Sequence, residues 1–117
     1  MVGRLVVTCL AASLLAACGR GLEAEPSDVI DTSQVLMARS YQFDPAAIHV
    51  AAGTAVTWIN DDVFTHDVRL LGVDGWHSQP LRPGERVSHV FAQAGTYAYE
   101  CAFHPQNMRG VVEVSAP

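Results

Sequence analysis

The sequence predicts an all-β domain that folds as a sandwich of short strands. Apolar and β-branched residues come in short runs, turn signals interrupt these runs about every ten residues, and no helix of useful length is apparent. These turn signals combine Gly, Pro, Asn and Asp in the pairs or triplets that favour tight turns. They lie at Asp44-Pro45, Ala52-Gly53, Asn60-Asp61-Asp62, Asp74-Gly75, Pro83-Gly84 and Ala94-Gly95.

Seven strands are predicted between these turns. They cover residues 35–41, 48–50, 55–59, 67–71, 86–91, 96–100 and 111–114. In the sixth strand, the side-chain period of two places Tyr97, Tyr99 and Cys101 on one face. We expect that face to point inward, so that Cys101 follows directly from a buried strand.

The N-terminus has the pattern of an export signal. Residues 5–17 form an apolar run after a short start that contains Arg4, and this run is shorter than the about 20 residues of a membrane span. Its end, Leu15-Ala16-Ala17-Cys18, resembles the lipobox of bacterial lipoproteins, whose Cys receives a diacylglyceryl group and becomes the first residue. Residues 1–17 are therefore predicted to be a lipoprotein signal peptide, with Cys18 lipidated. The alternative is ordinary secretion with cleavage near Ala17, which would leave Cys18 free.

Residues 18–34 are predicted to be a flexible tether, and residues 35–117 the folded domain. The tether is rich in polar residues and Gly, and its reach would be on the order of 20 Å. Loss of Arg4 with the signal peptide leaves six Arg and twelve acidic residues, which gives the mature chain a net charge of about −6. This acidity argues against nucleic acid as a partner.

Three residues near the C-terminus carry chemistry that suggests copper. Cys101, His104 and Met108 fall within eight residues, and His66 lies in an upstream turn. Two His, one Cys and a weak axial Met are the ligands of an electron-transfer copper centre. Cys101 has no partner for a disulfide in the domain, because Cys9 and Cys18 both belong to the N-terminal segment. An unpaired Cys in an exported protein is usually a ligand or a nucleophile.

The segment from Tyr41 to Val114 resembles a small cupredoxin of the plastocyanin and amicyanin type. The similar segments are Tyr41-Gln42-Phe43-Asp44-Pro45, residues 48–60, Phe64-Thr65-His66-Asp67-Val68, Leu81-Arg82-Pro83-Gly84-Glu85, Cys101-Ala102-Phe103-His104 and Met108-Arg109-Gly110. The resemblance implies a Greek-key β-sandwich that binds one Cu(I)/Cu(II) ion. It implies His66, Cys101 and His104 as equatorial ligands and Met108 as the axial ligand.

Two features depart from the family pattern. Three residues separate His104 from Met108, whereas we associate two with amicyanin and four with plastocyanin. Asp67 follows the first His, where family members often carry an Asn that braces the Cys loop. Asp67 is expected either to accept hydrogen bonds in that role, with its charge favouring Cu(II), or to point into solvent.

The resemblance implies a monomeric one-electron carrier, not an enzyme, which acts outside the cytoplasm with redox partner proteins. Lipid would anchor it to the outer face of the cytoplasmic membrane or to the outer membrane of a bacterium. Ala102, Phe103, Pro105 and Phe64 would form an apolar docking patch around His104, although core packing explains the two Phe equally well. The alternative function is copper storage, delivery or buffering. His49, His77 and His89 are expected to be satisfied or solvent-facing rather than ligands.

Overall fold

The structure, a computed structural model, describes residues 28–72 and 75–117, within which nine strands form two sheets. The strands are β1 (Val29–Asp31), β2 (Gln34–Ala38), β3 (Gln42–Asp44), β4 (Ala47–Ala51), β5 (Ala55–Asn60), β6 (Arg69–Leu70), β7 (Arg86–Val90), β8 (Gly95–Glu100) and β9 (Arg109–Ser115). No helix in this part of the chain is long and apolar enough to cross a membrane. The predicted signal peptide and Cys18 lie outside the described residues.

The two sheets pack face to face and enclose one apolar core, which confirms the predicted all-β sandwich. One sheet has the strand order β1-β4-β9-β8-β6 and the other has the order β3-β2-β5-β7. Burial alternates along β5, where Val56 and Trp58 point into the core between more exposed neighbours. Tyr99 on β8 faces the Trp58 ring, with ring centroids 5.3 Å apart. This alternation is what a strand with one buried face requires.

Residues 29–31, which the sequence assigned to the tether, form β1 and belong to the sandwich. Val29–Asp31 pairs parallel with β4, and Asp31 accepts a hydrogen bond from His49 at 2.9 Å. The polar composition around this segment predicts a linker, but pairing with a distant strand overrides that local signal. The prediction for residues 67–71 was also too long, since only Arg69–Leu70 forms a strand. Strand β3 was not predicted.

The register of β8 and β9 places the C-terminal candidate ligands at one end of the sandwich. Glu100 is paired with Arg109, so the loop 101–108 connects the two strands directly. The N–H of Cys101 donates to the carbonyl of Met108 at 3.0 Å. Cys101 and Met108 therefore face each other across the hairpin, although six residues lie between them in the sequence.

Candidate metal centre

The side chain of Asn60, at the end of β5, organises the turn that carries His66. Asn60 is buried, and its Nδ2 group donates to the carbonyls of Phe64 and Leu81, each at 2.8 Å. Its Oδ1 accepts the N–H of Asp62 at 2.9 Å. An Asn side chain that satisfies backbone groups in this way fixes a turn without regular secondary structure. The turn is thus positioned by the core strand that precedes it.

His66 is held on both its backbone and its ring. It forms a bridge with Leu81, with N–H to carbonyl distances of 3.1 and 2.7 Å. Its Nε2 lies 2.8 Å from Asp62 Oδ2, and both side chains are buried. Because a carboxylate only accepts, Nε2 is the donor in this bond, and Nδ1 is the ring nitrogen on the side of Cys101. A carboxylate that orients a His in this way is a common support for a metal ligand.

The loop 101–108 is closed by its own backbone hydrogen bonds. The N–H of His104 donates to the Cys101 carbonyl at 3.1 Å, and the N–H of Met108 donates to the His104 carbonyl at 3.0 Å. Arg109 Nε donates to the carbonyl of Pro105 at 2.7 Å. These bonds turn the chain back on itself, so that the side chains of Cys101 and His104 leave the loop towards the same point.

Three predicted ligands come together in the structure. The Cys101 sulfur lies 3.7 Å from His66 Nδ1 and 3.9 Å from His104 Nδ1, and the three ligand atoms lie within 4.8 Å of one another. Metal–sulfur and metal–nitrogen bonds of about 2.3 and 2.0 Å at trigonal angles would separate such atoms by roughly 3.7 Å. The observed separations therefore fit a single ion bound by both Nδ1 atoms and the sulfur.

Met108 is fully buried at the same end of the sandwich, one residue before β9. Its backbone carbonyl accepts a hydrogen bond from the N–H of Cys101, and its N–H donates one to the carbonyl of His104. A buried thioether beside two ligands that come from its own loop is suited to a weak axial contact. The spacing of three residues between His104 and Met108 is thus accommodated by the backbone hydrogen bonds of the loop. Axial ligation by Met108 stays a prediction.

Asp67 is buried and braces the ligand loop. Its Oδ1 accepts the N–H of Ala102 at 2.6 Å, and its Oδ2 lies 2.6 Å from Nε2 of His77. Of the two expectations for Asp67, the hydrogen-bonded brace is the one observed, and the solvent-facing alternative was wrong. The bond to Ala102 ties the turn of His66 to the loop of Cys101, which lies 35 residues away in the sequence.

Burial controls the protonation of the Cys101 thiol. Desolvation raises its pKa, while backbone N–H groups of Asp67 and Phe103 act in the opposite direction. Burial thus favours the neutral thiol over the thiolate in the metal-free protein. Metal binding needs the thiolate, so loading must release this proton, and the affinity for metal must increase as the pH rises.

An apolar rim surrounds the outer edge of His104. We use this name for Tyr41, Phe64, Phe103 and Pro105. The Tyr41 ring lies 4.3 Å from the His104 ring and 5.7 Å from Phe64, measured between centroids. Phe64 and Phe103 are both about half exposed, at 51% and 52%, so core packing does not explain them. Tyr41 reaches this position through two consecutive left-handed residues, Ser40 (φ 68°) and Tyr41 (φ 57°).

Four residues at the site were missed or misinterpreted from the sequence. Asp62 and Tyr41 were given no role, although a carboxylate four residues before His66 was a possible signal. His77 was expected to be satisfied or solvent-facing, and its hydrogen bond to Asp67 agrees with this, but its link to the site was not predicted. Glu100 was also given no role, yet it is 6% exposed and its carboxylate lies 3.4 Å from the Arg69 guanidinium. All four depend on contacts between segments that are distant in the sequence or on unusual turn geometry.

Together, the sandwich and the group of two His and one Cys define a protein with a mononuclear metal site of the copper type. Residues 31–115 match the family of copper binding proteins of plastocyanin and azurin. Amicyanin of Paracoccus denitrificans is 34% identical, over 92% of this chain and 93% of its own length. The chain therefore belongs to the plastocyanin/azurin family of copper-binding proteins.

Solved structures agree with this assignment. A purple cupredoxin from Nitrosopumilus maritimus has a TM-score of 0.64 and 33% identity, over 72% of this chain and 100% of that chain. A Cu-containing nitrite reductase from Thermus scotoductus has a TM-score of 0.65 and 30% identity, but the match covers only 22% of that chain. Family membership and the His, Cys, His group together indicate copper as the metal and electron transfer at a type 1 site as the function.

Proposed function

We propose that this chain is a lipid-anchored one-electron carrier outside the cytoplasm, with copper held by His66, Cys101, His104 and Met108. The observation that carries the proposal is the convergence of the Cys101 sulfur with two Nδ1 atoms. Copper would supply the Cu(I)/Cu(II) couple. The chain would supply a site that changes little between the two states, because each ligand is fixed by hydrogen bonds or packing before the metal binds.

The proposed exit for the electron is the edge of His104. His66 and Cys101 are fully buried, whereas His104 is partly exposed within the apolar rim. Apolar side chains around a polar edge suit a transient contact, in which a partner protein excludes water from the path. The rim therefore supports the predicted docking patch, with Tyr41 added to it and Ala102 left out. We propose that two redox partner proteins, an electron donor and an electron acceptor, dock on this rim. The chain is proposed to act as a monomer.

A second candidate function is copper storage, delivery or buffering, which the buried thiol also suits because Cys favours Cu(I). The two candidates differ in what they do with Cu(II). A carrier should bind both oxidation states, show an intense thiolate-to-Cu(II) absorption in the visible range and cycle reversibly at an electrode. A delivery protein should prefer Cu(I), lack that band and transfer its copper to a chelator during the measurement. Reversible voltammetry with retained copper is expected, and loss of the metal within one cycle would favour delivery.

Catalysis by this chain is not part of the proposal. The described residues contain one group of three potential ligands, at His66, Cys101 and His104. The similar nitrite reductase is a much longer protein, and this chain matches only 22% of it. The rest of that enzyme lies outside the matched segment.

The proposed lipid anchor rests on the sequence Leu15-Ala16-Ala17-Cys18, which precedes the first described strand, at Val29. About ten residues would then join the lipid to β1, which gives a reach on the order of 17 Å. A domain on this tether would stay in water close to the membrane.

Expression of the full chain in a bacterium should give a membrane-bound protein whose first residue, Cys18, carries lipid mass. Cys18→Ser should block lipidation and leave the uncleaved precursor or a soluble product. Cys9→Ser is the matched control, since it replaces a Cys within the same leader, and should leave lipidation intact. A wild-type protein found wholly in the soluble fraction, without lipid on its first residue, would refute the anchor.

A further inference from the structure

His77 is connected to the ligand loop through a single buried carboxylate. Its Nε2 lies 2.6 Å from Asp67 Oδ2, and the other oxygen of Asp67 accepts the N–H of Ala102 at 2.6 Å. The Asp67 side chain is 4% exposed, whereas that of His77 is 45% exposed. Two short hydrogen bonds thus run from the surface to the residue that follows Cys101.

The position of His77 is fixed by pairing between its own segment and the strand after Asp67. Leu70 N–H donates to the carbonyl of Trp76 at 2.9 Å, and Ser78 N–H donates to the carbonyl of Val68 at 2.8 Å. His77 itself is bridged to Arg69. The backbone bonds of Trp76 and Ser78 therefore hold the His77 imidazole beside Asp67. Less conformational entropy is then lost when the hydrogen bond between His77 and Asp67 forms.

A buried carboxylate needs a donor for each oxygen, because burial of an unpaired charged group is expensive. Among the described contacts, Ala102 satisfies Oδ1 and His77 satisfies Oδ2. Arg69, whose backbone is bridged to His77, has its own partner in Glu100, at 3.4 Å. Removal of the imidazole would leave Oδ2 without its donor and Asp67 free to rotate away from Ala102.

We propose that His77 is a positioning residue for the copper site, which acts through Asp67 to fix the Cys101 loop and to offset the carboxylate charge. This inference rests on the proposed electron-transfer function. With its donor lost, Asp67 would present more negative charge to the site, which favours Cu(II) and lowers the midpoint potential. The hydrogen bond to the Ala102 amide would also open more often.

The test compares His77→Ala, His77→Gln and His49→Ala in the full mature chain. His49→Ala is a matched control, because His49 also bonds an Asp, at 2.9 Å, and that pair does not touch the ligand loop. His77→Gln keeps a side-chain N–H donor. The readouts are the midpoint potential of the copper-loaded protein and the hydrogen-exchange rate of the Ala102 amide, measured with Cu(I) and without metal.

We expect His77→Ala to lower the potential and to speed exchange of the Ala102 amide several-fold, in both the Cu(I) and the metal-free protein. His77→Gln should restore most of both properties, and His49→Ala should match the wild type. The inference is overturned if His77→Ala leaves both readouts unchanged, or if His77→Gln shifts them as far as His77→Ala does. A wild-type protein without a reversible copper couple would instead refute the proposed function, while the amide exchange would still test the hydrogen-bond chain.

Discussion

Replacement of Cys101 by Ser should abolish the visible charge-transfer band of the Cu(II) protein. The sulfur is fully buried between two Nδ1 atoms at 3.7 and 3.9 Å, so no other thiol in the described residues can take its place. A Ser hydroxyl is a much weaker ligand than a thiolate, because it stays protonated at neutral pH and is not soft. Absorption spectra of the Cu(II)-loaded variant and wild type, at equal copper content, measure the change.

Cys18→Ser is the matched control for this variant, because it makes the same chemical change in the predicted leader junction. It should alter lipidation and leave the band as in the wild type. Circular dichroism of Cys101→Ser should show an intact β-sandwich, since Ser is close to Cys in size. An unchanged colour in Cys101→Ser would exclude the thiolate from the site and with it the proposed ligand set.

Replacement of Asp62 by Ala should both destabilise the metal-free protein and raise the copper potential. The change leaves the buried Nε2–H of His66 without an acceptor, which should cost about 2 kcal/mol of unfolding free energy. It also removes a negative charge next to a ligand ring, which disfavours Cu(II). Urea unfolding and voltammetry measure the two effects. Asp61→Ala, at the exposed neighbouring position, should change neither by a comparable amount.

The contribution of Asp62 should also depend on pH. The hydrogen bond from His66 lowers the pKa of Asp62 in the folded protein, and this effect exceeds the opposite effect of burial. A carboxyl with a lowered pKa stabilises the fold above its unfolded pKa of about 3.9, and this stabilisation is lost as the pH falls through the folded value. The stability gap between wild type and Asp62→Asn should thus be constant near neutrality and shrink below about pH 4. A gap that widens in acid would contradict the assigned pair.

The sequence predicted the sandwich and the four candidate ligands, because both depend on patterns that are local. Alternation along residues 96–100 predicted that Tyr99 and Cys101 point inward, and both are fully buried. The short spacing from Cys101 to Met108 placed three candidate ligands on one loop. The types of these residues predict copper without reference to the contact between His66 and this loop.

What the sequence did not predict depends on tertiary contacts. Strand β1 exists because it pairs with β4, and its own composition indicates a linker. Asp62 meets His66 only because the Asn60 side chain fixes the turn between them. His77 reaches Asp67 through pairing of its neighbours with residues 68–70. The spacing of four residues between Asp62 and His66 was a possible signal for the second arrangement. The other two have no such signal, because each is set by pairing with backbone that is distant in the sequence.

X-ray absorption at the copper edge tests most directly whether one thiolate and two imidazoles share a single ion. The copper-loaded wild-type protein should contain one copper per chain, with one short bond to sulfur and two bonds to nitrogen, and the sulfur bond should disappear in Cys101→Ser. The separations of 3.7 and 3.9 Å between the sulfur and the Nδ1 atoms agree with that arrangement. A wild-type spectrum with only nitrogen and oxygen neighbours around copper would contradict it.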